Sequence, residues 1–226
     1  MEAIIATLAV TLGASFCAGI NLYATLFVLG AMSRWSGFDL PGDLLVLESD
    51  LVMWPALFMY TVEFVADKVP AVDSAWDSIH AFIRIPAGVM LAAAALGDVP
   101  LELQVVGGMV GGTLATSSFA AKATTRLASH ATGTSPIASP VLSIAEDALV
   151  VGTMAFVAAN PVLSLLILAV LMIATYYVLK TFWRIARGVF RSIGGLLKGE
   201  YPAVAATPAP ALASVPAERS EHSLMR

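Results

Sequence analysis

Two pairs of acids stand out in a chain that is otherwise apolar. Glu63 and Asp67 are four residues apart, a spacing that puts both on one face of a helix, and Glu146 and Asp147 adjoin each other in a later run. Carboxylates held close together and partly out of water can share a proton or take up a cation between them. Lys122 and Arg126, again four apart, are plausible counter-charges. Asn21 lies beside Gly19 and close to Ser15 and Thr25, where a glycine break would unwind the helix and offer backbone carbonyls to a solute or ion. A plainer reading competes throughout. The charges would then be interhelical ion pairs that set register or side chains that reach headgroups, and Asn21 would make one interhelical hydrogen bond of about 1 kcal/mol.

Other chemistry finds little support. His80 follows Asp77 by three residues and precedes Arg84 by four, while His130 and His222 lie in different segments, so no metal-ligand spacing emerges. Cys17 is the only cysteine and sits in an apolar run, a small packing residue. No nucleophile, base and orienting acid fall at a recognisable spacing. Neither an enzyme nor a cofactor is expected, and an activity on lipid headgroups is the weakest reading. Gly107, Gly108, Gly111 and Gly112 form overlapping small-xxx-small pairs that let another helix approach. A phosphate loop is a poor reading, because no Gly-Lys-Ser/Thr follows.

The elements that must position these residues are membrane helices. With 58% hydrophobic and 12% charged residues, the chain has too little polar surface to cover a soluble fold of 226 residues. Six runs approach the roughly 20 apolar residues a crossing needs. They are Ile4 to Met32, Leu51 to Val69, Ala75 to Leu96, Pro100 to His130, Pro140 to Ala159 and Leu163 to Leu179. The first is read as a retained helix rather than a signal, since it opens with Glu2 and lacks a basic leader. Pro86 is expected to kink the third, leaving an apolar part too short to span alone. The expected fold is therefore all-α and polytopic, with a membrane domain over 1–199 and an Ala/Pro-rich disordered cytoplasmic tail over 200–226.

Six crossings would gather Lys68, Arg84, Lys122, Arg126, Lys180, Arg184, Arg187, Arg191 and Lys198 on one side, and only Arg34 among several acids on the other. The positive-inside rule then makes the basic side, with both termini, cytoplasmic. Two sets of three runs, 1–98 and 99–199, each with a glycine-rich first member, would form an inverted repeat. The basic stretch after the sixth run reads as ordinary anchoring at the inner leaflet.

Gly19 to Thr25 (GINLYAT), Glu63 to Pro70 (EFVADKVP), Val72 to Asp77, His80 to Gly88, Ala120 to Ala123, Thr134 to Pro136 and Ile144 to Asp147 resemble a bacterial integral membrane family known only as a domain of unknown function. The resemblance implies a membrane protein and supplies no activity. Two functional readings stay open. One is a small-solute or ion transporter or channel whose broken first and fourth helices face each other beside the acids. The other is a membrane scaffold that uses its charges for packing. The expected partners are membrane lipid, a small solute or cation, and a second copy of the chain to help enclose a pathway; no nucleic acid is expected.

Overall fold

The computed structural model describes residues 1–197, so the expected tail over 200–226 lies outside the described residues. The chain divides into two units, Met1–Arg184 and Ile185–Arg226. Every regular element among the described residues is helical: α1 (Glu2–Ile20), α2 (Leu22–Ser36), a 3-10 segment (Gly42–Glu48), α3 (Asp50–Ala66), α4 (Pro70–Ala95), α5 (Leu101–Ala131), α6 (Ser135–Ala159) and α7 (Pro161–Leu197). Local chemistry marks the ends. Gly37, in the left-handed conformation at φ 66°, stops α2, and the Ser49 hydroxyl accepts from Leu51 N–H to start α3.

The distribution of side chains is that of a bundle in lipid. Leu51, Phe58, Phe82, Met90, Ile137 and Leu166 point outward, while Glu63, Arg84, Lys122 and several serines are buried. A bilayer favours this arrangement, because it solvates apolar surface and makes each unpaired polar group costly. Four described helices are long and apolar enough to cross a membrane, and five if the 3-10 segment and α3, bent by 70°, form one broken span. The expected fourth crossing, α5, is a helix of 31 residues but is not among them.

The first apolar run does not cross as one helix. Asn21 adopts an extended conformation, φ −144° and ψ 99°, and its side-chain oxygen caps α2 by accepting from Ala24 N–H at 2.9 Å. The chain reverses there. At its start, α1 shares a cavity wall with Pro41, Leu96 and Val99, beside the α4–α5 connection. At its end, Gly19 lies on Ala115 and Ser118 of α5, and the Ile20 carbonyl accepts from Lys122. From Asn21, α2 climbs back until Gly30 packs on Leu47 and the Ser33 hydroxyl donates to Glu48. The pair is a helical hairpin, so the amino-terminal turn lies at the same end of the bundle as the 37–49 connection, against expectation. Pro161 and Val162, where α7 begins, line a cavity with Glu2 and Ala3, so α7 starts at that end too.

The glycines of α5 serve packing and not a break. Gly111 faces Ala92 and Gly88, and Gly108 and Gly112 face Val89, all on α4, while Gly107 faces Leu96, which caps that helix. Since α5 is continuous, the expected pair of broken helices reduces to the break at Asn21. Pro86 does not shorten α4 as expected: although its ring denies the Phe82 carbonyl a donor, Ala75–Ala95 stays helical and long enough to cross.

A methyl group added at Gly19 would collide with the Ala115 carbonyl, whereas one added at Gly152 meets nothing within 4 Å. Gly19→Ala should therefore lose about 1–3 kcal/mol by overpacking. Gly152→Ala should be neutral or gain up to about 1 kcal/mol from helix propensity. Thermal unfolding in detergent should rank Gly19→Ala below wild type and Gly152→Ala at or above it.

Candidate functional site

Four helices bring ionisable groups to one buried place. Glu63 sits in the last turn of α3 and Asp67 caps that helix. Asp77 and Arg84, seven residues apart on α4, share a face, and α5 supplies Lys122 and Arg126 while α6 supplies Glu146. Neither Glu63 nor Arg84 has any accessible side-chain surface.

Each base lies among several acids. Arg84 donates through Nη2 to Glu63 at 2.5 Å and through Nη1 to Asp77 at 3.0 Å. Arg126 Nη2 donates to Asp67 at 2.9 Å and to Glu146 at 2.7 Å, and its Nε stands 3.5 Å from Asp77. Lys122 occupies the centre. Its Nζ is 3.3 Å from both Asp77 and Glu146, 3.4 Å from Asp67 and 3.6 Å from Glu63. It also donates to the Ile20 carbonyl at 3.2 Å, so a cation meets the negative end of the α1 dipole. Glu63 Oε2 and Asp67 Oδ1 accept no hydrogen bond among the described residues.

A second group adjoins this centre where α1 meets α2. Asn21 donates to Asp147 Oδ1 at 3.0 Å, and the Tyr60 hydroxyl faces the same carboxylate. Lys68, within electrostatic reach of Asp147 and Asp67, donates to the Phe64 carbonyl at 2.9 Å. All seven residues singled out in the sequence as a binding set are thus brought together: Asn21, Glu63, Asp67, Lys122, Arg126, Glu146 and Asp147.

Sequence reasoning missed Asp77 and Arg84 as members. The charge pattern groups Arg84 with the basic side of the membrane, yet it is fully buried. The available signal was their seven-residue spacing, which aligns them over two turns. His80 belongs to a different arrangement. Its Nδ1 lies 2.9 Å from the Trp76 carbonyl, and its ring stacks on Trp76 at 4.2 Å with Tyr23 edge-on at 5.7 Å. Among the described residues no three His, Cys, Asp or Glu side chains converge as a metal-binding set. A cavity of about 240 Å³ between α4 and α5, lined by Asp77, Phe119, Arg126 and His130, approaches the cluster from outside.

Helices with an apolar exterior around a buried network of charges define a polytopic membrane protein. The chain belongs to the family described as a Domain of unknown function (DUF4126), whose model matches residues 8–181. No curated protein and no solved structure matches the chain.

Removing one partner of a buried ion pair leaves the other charged and unsolvated, at a cost of about 3–5 kcal/mol. Arg84→Met should therefore be strongly destabilising. Adding Glu63→Gln should recover part of the loss by removing the stranded charge, giving a coupling energy above about 1 kcal/mol in a double-mutant cycle followed by detergent thermal unfolding.

Proposed function

We propose that the protein is a small membrane transporter that carries a proton through the α3–α6 cluster, coupled to the passage of a small solute. The observation that carries this reading is the charge balance. Among the described side chains, four carboxylates (Glu63, Asp67, Asp77 and Glu146) meet three bases (Arg84, Lys122 and Arg126). The adjoining Asp147 and Lys68 offset one another, so one negative charge remains in excess. An excess charge in a low-dielectric interior is costly, and one bound proton removes it without the ligand shell that a metal requires. Uptake and release of that proton would alternately relax and strain the contacts joining four helices. The break at Asn21, hydrogen-bonded to Asp147, places a non-helical junction within reach of that change.

Under the positive-inside rule, the end of the bundle with the α5–α6 turn is cytoplasmic, because Lys68 lies at that end and α7 carries Lys180 and Arg184 away from Pro161. The α1–α2 hairpin then puts the amino terminus outside, in place of the expected cytoplasmic one, while Lys180 and Arg184 of α7 stay inside. The six-crossing count gives way to an odd number of passages, with α1 and α2 as the extra pair of legs, and an inverted repeat loses its matching break in α5.

The dense pairing around Arg84 favours a second reading, a structural clamp in a non-transporting scaffold. One experiment separates the two. Protein in liposomes, exposed to a panel of ions and small metabolites, should show solute-dependent pH changes. Glu63→Gln and Glu146→Gln should each lose at least about tenfold in flux while staying folded. Normal flux in both variants would sink the proton-carrying role. Silence of folded wild type across the panel would leave the clamp, for which Glu63→Lys with Lys122→Glu should restore the stability that either change removes alone.

A further inference from the structure

The buried face of α6 changes character at Glu146. Toward the α5–α6 turn it is a line of hydroxyls, Ser135, Ser139 and Ser143, all buried. Their spacing of four and four residues, then three to Glu146, places them on one stripe that leads to the carboxylate. Toward Asn160 the same face carries Val150, Met154 and Val157, the last two closing on Gly13 of α1, and its one buried hydroxyl, Thr153, is engaged by the Cys17 thiol.

Hydroxyls elsewhere in these helices bond back to their own backbone. Thr11 donates to the Thr7 carbonyl at 2.7 Å, Ser15 to that of Thr11 at 2.8 Å and Thr116 to that of Gly112 at 2.7 Å. Ser139 and Ser143 do not. Both are completely or almost completely buried, and neither hydroxyl has a hydrogen-bond partner among the described residues. A buried unpartnered hydroxyl costs about 1–3 kcal/mol, and alanine would fill nearly the same space without that cost. Pro140, inside the helix, has no N–H to give the Pro136 carbonyl, which adds an acceptor one turn before Ser139.

The spacing suits a water file. Side chains four residues apart on a helix stand about 6 Å apart along its axis, a gap that one water closes with two hydrogen bonds of about 2.8 Å. The turn where the stripe begins is itself rich in hydroxyls: Thr132 and Thr134 share a hydrogen bond of 2.9 Å, and Thr134 donates to the Ser129 carbonyl at 3.3 Å.

We infer that the Ser135–Ser139–Ser143 stripe is the proton's entry path to Glu146, a file of hydroxyls and water that opens at the α5–α6 turn. Beyond the acid Val150, Met154 and Val157 close the same face and the Thr153 hydroxyl is engaged with Cys17, so this path serves one side of the membrane. Each hydroxyl accepts a hydrogen bond from one neighbour and donates to the next. A proton therefore advances by exchange along the file, no serine ionises, and the Glu146 carboxylate takes the proton at the end. The use of the path rests on the proton-carrying reading of the cluster, while its existence rests on the unpartnered hydroxyls.

Two measurements test it. Ser139→Cys and Ser143→Cys are placed in sealed vesicles of each orientation and treated with Ag⁺, an ion small enough for a narrow aqueous path. The remaining thiols are then labelled with a maleimide after unfolding. Ag⁺ added at the α5–α6-turn side should block both introduced thiols, bringing labelling down to that of the fully buried Cys17, while Ag⁺ at the other side should not. Separately, Ser139→Ala and Ser143→Ala should each lower proton flux about tenfold with unchanged or higher thermal stability, an outcome a merely structural serine would not produce. No Ag⁺ block at either position overturns the path. Normal flux in both alanine variants overturns it as the proton's route, and the transporter reading then stands without it. Ag⁺ block in a protein whose wild type moves no protons keeps the aqueous path and removes the transporter reading.

Discussion

Arg84 is a guanidinium with no accessible surface in a bundle whose exterior is apolar, and the placement of four helices follows from keeping it charged. Its two partners come from different elements, Glu63 at the end of α3 and Asp77 two turns earlier on α4. A slide of either helix by one residue would swing a partner away by roughly 100° and strand the charge. Lys122 extends the constraint to α5 and, through Glu146, to α6. The small residues then acquire a purpose beyond mere fit. Gly111 lying on Gly88 and Gly19 on Ala115 let backbones approach closely enough for short side chains such as Asp67 and Asp77 to meet the bases of α5. The ion network sets register, and the glycines set distance.

The reversal at Asn21 depends on the same network. Ending α1 in mid-bundle exposes its last carbonyls where no lipid or water satisfies them, and starting α2 there leaves free N–H groups. Lys122 answers the first need by donating to Ile20, and the Asn21 side chain answers part of the second by accepting from Ala24 while its amide donates to Asp147. A hairpin tip inside an apolar bundle is stable only because the charge cluster stands beside it. In turn, the tip gives the cluster a polar neighbour, the Asn21 amide on Asp147, at an extended residue between two helices.

The residues that form the site were largely legible in the sequence. Acids and bases four apart in apolar runs have few destinations in a membrane helix besides one another, so Glu63, Asp67, Lys122, Arg126 and Glu146 declared themselves. Asp77 and Arg84 did not, because the stretch around them carries enough polar residues to read as amphipathic, and burial on such a helix depends on what packs against it. The hairpin was hidden for another reason. Ile4 to Met32 has no proline and, although Gly19 and Asn21 mark a break, neither hydropathy nor period shows that the chain reverses there instead of continuing across. Sides are read from where lysine and arginine fall, so counting Ile4 to Met32 as one crossing changes only the amino terminus, which the hairpin sets at the same end as the 37–49 connection. The α5 glycines illustrate the remaining ambiguity: small residues at four-residue spacing suit both a break and a close contact, and only the neighbouring α4 decides between them.

A clamp and a carrier make different demands on a buried network, and the distinction lies in what is left unsatisfied. A clamp gains most when opposite charges balance and every lone pair is used, since each remaining charge or bare oxygen costs stability and returns none. Here the acids outnumber the bases, Glu63 and Asp67 each keep an oxygen without a hydrogen bond, and two buried serines on the approach to Glu146 leave their hydroxyls unused. Trp76 Nε1 apart, these unmet groups lie on the cluster, on the adjoining Asp147 and on the one face of α6 that leads to it, while hydroxyls such as Thr11, Thr61 and Thr113 find backbone partners. Unsatisfied polarity concentrated in this way suits a transient occupant more than a clamp, because an occupant would complete the hydrogen bonds when present and its departure would restore the cost.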